Sequence, residues 1–237
     1  MSIKEAQIQV LDLTIDVVKK DIKNMHLAVY PPTGRIRIAS PKEVNDEAIR
    51  LFAISKIRWI KKHQKNFYEQ LREGPREYIT GESHYFDGKR YLLKVVDRFG
   101  KHELKIKNKS YLELYVSPKA TVEAKEKVFS EWYRSHLKEI VPDIIKIWEE
   151  KTGLNCENWD IKKMRTRWGS CNIEKRKILL NLELAKKPRH CLEYVIVHEL
   201  MHLFERNHND NFKGLLDRFM PNWKTYKREL DNLPVAY

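Results

Sequence analysis

Two histidines four residues apart, His198 and His202, flank Glu199 inside the apolar run Tyr194 to Leu203, and a third histidine, His208, follows ten residues after the first. On a helix, positions four apart share a face, so both imidazoles can address one ion. Imidazole nitrogen, at about 2.0–2.1 Å, suits Zn2+. Glu199 is rotated off that axis, which sets it to take a proton from a zinc-bound water rather than to bind the metal. The metal supplies the acidity, because zinc-bound water titrates near about pH 7. A catalytic zinc needs a third protein ligand and an open fourth position. His208 fits that third place, at the first-to-third spacing of the metzincin pattern. Glu205 stands where that pattern has glycine, so the return of the chain to the metal is expected from Asn207, which tolerates left-handed dihedrals. Glu205 is the rival third ligand. The same H-E-x-x-H spacing also arises by chance in helices whose histidines make ordinary polar contacts. Burying two histidines and a glutamate in so apolar a run without a metal would, however, leave costly polar groups.

The elements that must position these residues alternate in type, which predicts an α+β fold. Residues 6–39 read as strands, with a hairpin turning at Pro31-Pro32-Thr33-Gly34. Ser40-Pro41 opens a helix in which Ile49, Phe52, Ala53, Ile57 and Ile60 share a period, running to about Leu71. Residues 74–118 return to strands with turns at Gly88 and Phe99-Gly100. From Thr121 the pattern is helical, with Val128, Trp132, Ile140, Ile144 and Trp148 on one face. Pro142 is expected to kink or split this helix, and Thr152-Gly153 to stop it. Strands are expected over 159–165 and 177–182 around a loop at 168–172, and Pro188 starts the helix of the three-histidine segment. Met201 and Phe204 read as core. Beyond the site, Phe212, Leu215, Leu216 and Phe219 form a one-face stripe that buttresses the metal helix. No internal repeat or low-complexity tract is evident. The division expected is an N-terminal mixed β/α accessory region, 1–118, for substrate or partner binding, and a mainly helical metallohydrolase domain with a small sheet, 119–237.

The composition sets outer bounds. The chain has 237 residues, 42% hydrophobic and 33% charged, which suits a globular protein with a buried core. No stretch approaches the roughly 20 apolar residues of a membrane span, and the N-terminus has no apolar signal region, so a cytoplasmic location is expected. Three cysteines without C-x-x-C spacing exclude a cysteine-rich zinc knuckle and argue against a disulfide framework. A net charge of +13 is compatible with nucleic-acid or nucleotide association, or with a basic surface kept for solubility.

Arg165 and Arg167, read as alternate residues of a strand, would share one face. Turned toward the zinc, they would contact substrate phosphate or stabilise an oxyanion; turned away, they would tether an acidic residue such as Glu205. Trp168 either walls the cleft or fills core. Ser170 and Cys171 have no evident His–acid relay, and nucleophilic catalysis is not assigned to them.

The segments 164–171, Leu180-Asn181, 194–203, Asn207-His208 and Phe212, together with Gly81-Glu82 and Gly88-Lys89-Arg90-Tyr91, resemble the YgjP-like metallopeptidase family over most of the chain. The resemblance implies a minimal zincin fold similar to that of the SprT-like and WLM proteases, which act on DNA-bound proteins. It implies one zinc ion on the three histidines, with Glu199 catalytic. Many relatives have Trp after the residue matching Phe212, where this chain has Lys213. Protein or peptide is the implied substrate, although some members carry a label as nucleoside triphosphate (UTP) pyrophosphatases. Against the nucleotide reading, the chain has no Gly-rich phosphate cradle and no acidic cluster for Mg2+. A third reading, a nucleic-acid-associated protein with a structural zinc, would call for four protein ligands.

Overall fold

The computed structural model describes residues 5–30, 33–69 and 76–232. The chain is α+β and forms two compact units, Met1–Arg72 with Tyr237 and Glu73–Ala236.

In the first unit the apolar run 6–18 folds back on itself. Strands β1 (Glu5–Val10) and β2 (Leu13–Lys20) pair antiparallel across a two-residue turn in which Leu11 takes φ 55° and is 76% exposed. Strand β3 (His26–Tyr30) pairs antiparallel with β4 (Arg35–Pro41), which lies parallel to β2. The predicted hairpin is therefore present, and Pro31 and Pro32 of its turn lie outside the described residues. Alternation sends Leu13, Ile15 and Val17 of β2 and Ile36 and Ile38 of β4 to one face. That face is covered by Ile49 and Ala53 of α1 (Asp46–Ser55) and Ile60 of α2 (Ile57–Glu69). Each buried Leu, Ile or Val side chain stabilises by roughly 1.5–3 kcal/mol. Asn45 caps α1 by accepting from the Ala48 amide at 2.8 Å. The single helix expected after Pro41 is thus two, interrupted at Lys56; its expected end at Leu71 lies outside the described residues.

The second unit begins with a sheet of β5 (Ser83–Phe86), β6 (Lys89–Asp97), β7 (Glu103–Lys107) and β8 (Tyr111–Val116), in the order β5-β6-β8-β7. The first sheet has the order β1-β2-β4-β3, and the sense of each pairing is the same in both: antiparallel, parallel, antiparallel. The chain therefore repeats one four-stranded topology, which the sequence does not announce. Helix α3 (Val122–Thr152) follows, capped by the Thr121 hydroxyl at its start and by left-handed Gly153 at its end. It runs unbroken through Pro142, contrary to the expected split. Pro142 and Lys138, whose carbonyl loses its amide donor, both lie on the exposed face, where an unpaired carbonyl costs least, while Leu137, Val141, Ile144 and Ile145 hold the helix by burial.

Strands β9 (Asn158–Lys162), β10 (Gly169–Asn172) and β11 (Lys177–Asn181) form a small sheet with β11 central, parallel to β9 and antiparallel to β10. Residues 169–172, expected as loop, are thus an edge strand, and 163–168 are the loop. A 3-10 turn, Leu182–Lys186, leads into α4 (Arg189–Met201), followed by α5 (Asp210–Phe219) and α6 (Trp223–Asn232). One core joins Leu93, Leu112 and Leu114 of the second sheet to Phe129 and Leu137 of α3 and to Ile196 and Val197 of α4. The units divide between Arg72 and Glu73, where the sequence predicts a boundary at 118; the core of the second sheet is shared with the helices that follow it.

The β5–β6 turn sets where α4 begins. Its Asp87 and Gly88 amides donate to the carbonyls of Ala185 (2.9 Å) and Lys186 (3.2 Å). Gly88 takes φ +74°, and a Cβ there would lie 2.7 Å from Pro188, so glycine is required both by conformation and by the close approach. The three cysteines are free thiols. Among the described residues no helix is long and apolar enough to cross a membrane.

Candidate metal centre

Helix α4 is apolar on nearly all sides: Tyr194–Val197, Leu200 and Met201 are buried, as befits a central helix. His198, Glu199 and His202 interrupt that apolar character. The α-helix ends at Met201, but His202 keeps helical dihedrals (φ −65°, ψ −16°), so the four-residue spacing still stacks it over His198.

Past His202 the chain turns back through a set of side-chain caps. The Phe204 and Glu205 amides donate to Met201 O at 3.0 Å each. The Glu205 carboxylate accepts from the Asn207 amide at 2.9 Å, and hydrogen bonds from Asn207 and Asn209 hold its pKa below the usual range. Asn209 then caps α5, accepting from the Phe212 amide at 3.0 Å. Asn207 is not among the residues with positive φ, so the return is made by these bonds and not by a left-handed residue. Phe204, expected in the core, is 52% exposed at the start of this turn, because the helical period that would have buried it stops at Met201. Phe212 is buried beneath the histidines, its ring 5.0, 4.7 and 4.8 Å from those of His198, His202 and His208. The next residue, Lys213, is exposed and pairs with Asp210.

The three imidazoles converge. Donor atoms of His198, His202 and His208 lie within 4.8 Å of one another, and the Nε2 atoms of His198 and His208 are 2.9 Å apart. Two nitrogens sharing a tetrahedral zinc sit about 3.3 Å apart, so the donor set fits one divalent ion. His202 Nδ1 lies 3.1 Å from the Glu205 carbonyl; as a donor there it leaves Nε2 for the metal. Burial, reinforced by the neighbouring rings, pulls His198 down to about 3, and burial also lowers His208, which keeps both rings in the neutral, ligating form. The Nδ1 of His198 is buried without a partner among the described residues. Glu205 is the nearest rival by sequence, yet its carboxylate is engaged in the turn.

Glu199 is 5% exposed. Burial pushes its carboxyl up to about 8, opposed by the Arg167 guanidinium. It lies at the floor of a cleft of about 630 Å³ whose lining includes the three histidines, Trp168, Tyr194 and three cations, Arg167, Arg206 and Lys227. Arg165 is not among the lining residues. The pair does not lie on a strand, since both residues belong to the 163–168 loop, and β alternation does not apply to them. That loop is tied down by Asn181, which the sequence marks only as part of a motif. Asn181 is 2% exposed. Its Nδ2 donates to Met164 O (2.8 Å) and Arg167 O (2.7 Å), and its Oδ1 accepts from the Met164 and Glu183 amides (3.2 Å each). Its own amide donates to Trp168 O at 2.8 Å. Trp168 both lines the cleft and packs on the core. Burial and the nearby Glu199 push the Cys171 thiol up to about 11, which makes it a poor nucleophile. Tyr194 reaches the cleft from α4, one turn before His198; Arg206 and Lys227 join it without a signal in the sequence, because the turn after α4 and α6 reach it only through folding. A second grouping, His190, Cys191 and Glu229, is a 2.6 Å hydrogen-bond contact between the imidazole and the carboxylate beside a thiol that burial pushes up to about 12, and reads as packing.

Residues 23–233 match the family described as YgjP-like, metallopeptidase domain. Among solved structures, the metallopeptidase zymogen jannalysin of Methanocaldococcus jannaschii is similar at 22% identity and a TM-score of 0.34, covering 38% of this chain and 92% of that one. No match was found among curated proteins.

Proposed function

The chain belongs to the YgjP-like metallopeptidase family, and from that premise we propose that it is a zinc-dependent peptidase in which His198, His202 and His208 hold one Zn2+ ion and Glu199 is the general base. The observation that carries this reading is the convergence of three imidazoles beside a buried carboxylate that is not one of the converging donors. The ion, when held, would supply Lewis acidity toward a carbonyl and toward water. Glu199, which the charge of a bound ion, added to that of Arg167, would return to its carboxylate form, takes the proton of the attacking water and hands it on to the leaving amine. Its burial under the cleft keeps bulk water from competing for that proton. Arg167, on the cleft wall, is the side chain that meets the substrate and offers a donor for developing negative charge; Arg165 has no part in this reading. Three donors rather than four, among the described residues, favour an open catalytic site over a structural one.

The cations Arg167, Arg206 and Lys227 around the cleft favour a second reading, nucleoside triphosphate pyrophosphohydrolysis. A paired assay separates the two. Zinc-loaded protein and its Glu199→Gln variant receive an unfolded protein, with and without DNA, in one arm and nucleoside triphosphates in the other. Peptide products that vanish in the variant, with zinc content unchanged, support the peptidase. Pyrophosphate release that depends on Glu199, without peptide products, establishes the second reading and overturns the first.

A further inference from the structure

Gly169 is the first residue of edge strand β10, paired with Leu180 of β11. Its φ lies outside the left-handed region that requires glycine. Its neighbourhood does require glycine: a Cβ built there would sit 2.6 Å from Glu199 Oε1, 2.8 Å from its Cγ and 3.0 Å from its Cδ. The three nearest atoms thus all belong to one side chain. An ordinary carbon contact is about 3.5–4.0 Å, so any side chain at 169 would drive the carboxylate back by about 1 Å. The strand itself has little room to yield. The Asn181 amide holds the carbonyl of Trp168, the preceding residue, at 2.8 Å, and the Asn181 side chain holds the Arg167 carbonyl at 2.7 Å.

From this geometry we infer that Gly169 is a positioning residue: the missing side chain is a slot in which the Glu199 carboxylate is seated, so β10 sets the distance between the base and the three histidines. The inference rests on Glu199 being the base, but the slot itself is a steric fact that can be tested without catalysis.

The test is a double-variant cycle. In metal-free protein, Gly169→Ala lowers Tm by on the order of 5 °C, as overpacking does. In a Glu199→Ala background the same substitution changes Tm by less than about 1 °C, because the colliding atoms are gone. Equal losses in the two backgrounds overturn the slot. Failure of Gly169→Ala to fold, with the double variant folding, is its strongest confirmation; failure of both overturns it. On zinc-loaded protein, Gly169→Ala keeps the metal and loses about 100-fold or more in turnover, the order of loss for a 1 Å misplacement. The loss falls on kcat with KM within about twofold, as misplacement of the base requires; a loss confined to KM, or a loss of the metal, overturns the positioning role. Absence of all Glu199-dependent turnover would instead sink the peptidase reading and leave the Tm cycle to decide the slot.

Discussion

Asn181 is a residue whose removal has a calculable cost. Its side chain makes four hydrogen bonds, at 2.7–3.2 Å, with backbone groups of Met164, Arg167 and Glu183. Each is worth about 0.5–1.5 kcal/mol net, and buried groups left unpaired cost more. Asn181→Leu keeps the branched shape and discards all four, so a loss of about 2–4 kcal/mol is expected after local relaxation. For a unit of this size that lowers Tm by roughly 5–15 °C. Asn181→Asp should be worse. It preserves the acceptor but sets a buried carboxylate against the carbonyls of Met164 and Arg167, where the amide nitrogen donates in the native protein. Calorimetry of the metal-free variants checks the order. None of the four bonds involves a histidine, so zinc content should hold, while turnover falls as Arg167, Trp168 and Gly169 lose their anchor. A Leu variant melting within about 1 °C of the parent, or an Asp variant more stable than the Leu variant, would refute the clamp.

Replacing His208 with Ala should weaken zinc by more than about 100-fold in equilibrium dialysis, since outer-shell partners alone account for about 10–100-fold; undiminished affinity would mean another third ligand. His84, buried between Tyr78 and Phe129, is pulled down to about 4 by burial. As pH falls below about 6.5 the unfolded chain binds a proton that the folded chain refuses, so stability drops between about 6.5 and 4, by at most about 3 kcal/mol. His84→Phe should flatten that window, and an unchanged pH–stability profile would rule the assignment out. Pro142→Ala restores a donor for the Lys138 carbonyl and should raise stability by roughly 1–3 kcal/mol; a lower Tm would show that Pro142 serves the packing of α3.

The placement of the histidines at the heart of the site was legible because it is local. Helical period alone places His198 and His202 on one face, and the stripe from Phe212 to Phe219 alone places a buttress beneath them. What surrounds that centre is non-local. Gly169 faces Glu199 only because β10 lies over α4, and nothing in its neighbours says so. The loop carrying Arg165 and Arg167 has strand-like composition on either side, and only the Asn181 clamp, across the sheet, makes it a loop. Phe204 is apolar and in phase with α4, yet the helix stops three residues before it, under the pull of caps formed by Glu205, Asn207 and Asn209. Pro142 misleads in the opposite direction: its local penalty is real, but it falls on the solvent face of a helix whose buried side chains outweigh it.

The repeated sheet shows how one topology can serve two ends. In both copies two hairpins meet through a central parallel pair, and in both the helical segment after the last strand is capped by a side chain, Asn45 or Thr121. The hairpin turns differ. In the first copy the turn is Leu11-Asp12, with Leu11 in solvent and Asp12 paired to Lys61 of α2 at 3.0 Å, so that turn fastens a helix of its own unit. In the second the turn is Asp87-Gly88, and its amides grip the segment just before Pro188. A side chain at 88 would collide with Pro188, so this glycine lets the second sheet reach the start of the helix that presents His198, Glu199 and His202. Among the described residues both candidate ligand groups lie in the second unit. The copy that can hold α4 by its N-terminus is the copy to which the chemistry is attached, and the physical difference between the two is a turn without a side chain in its path.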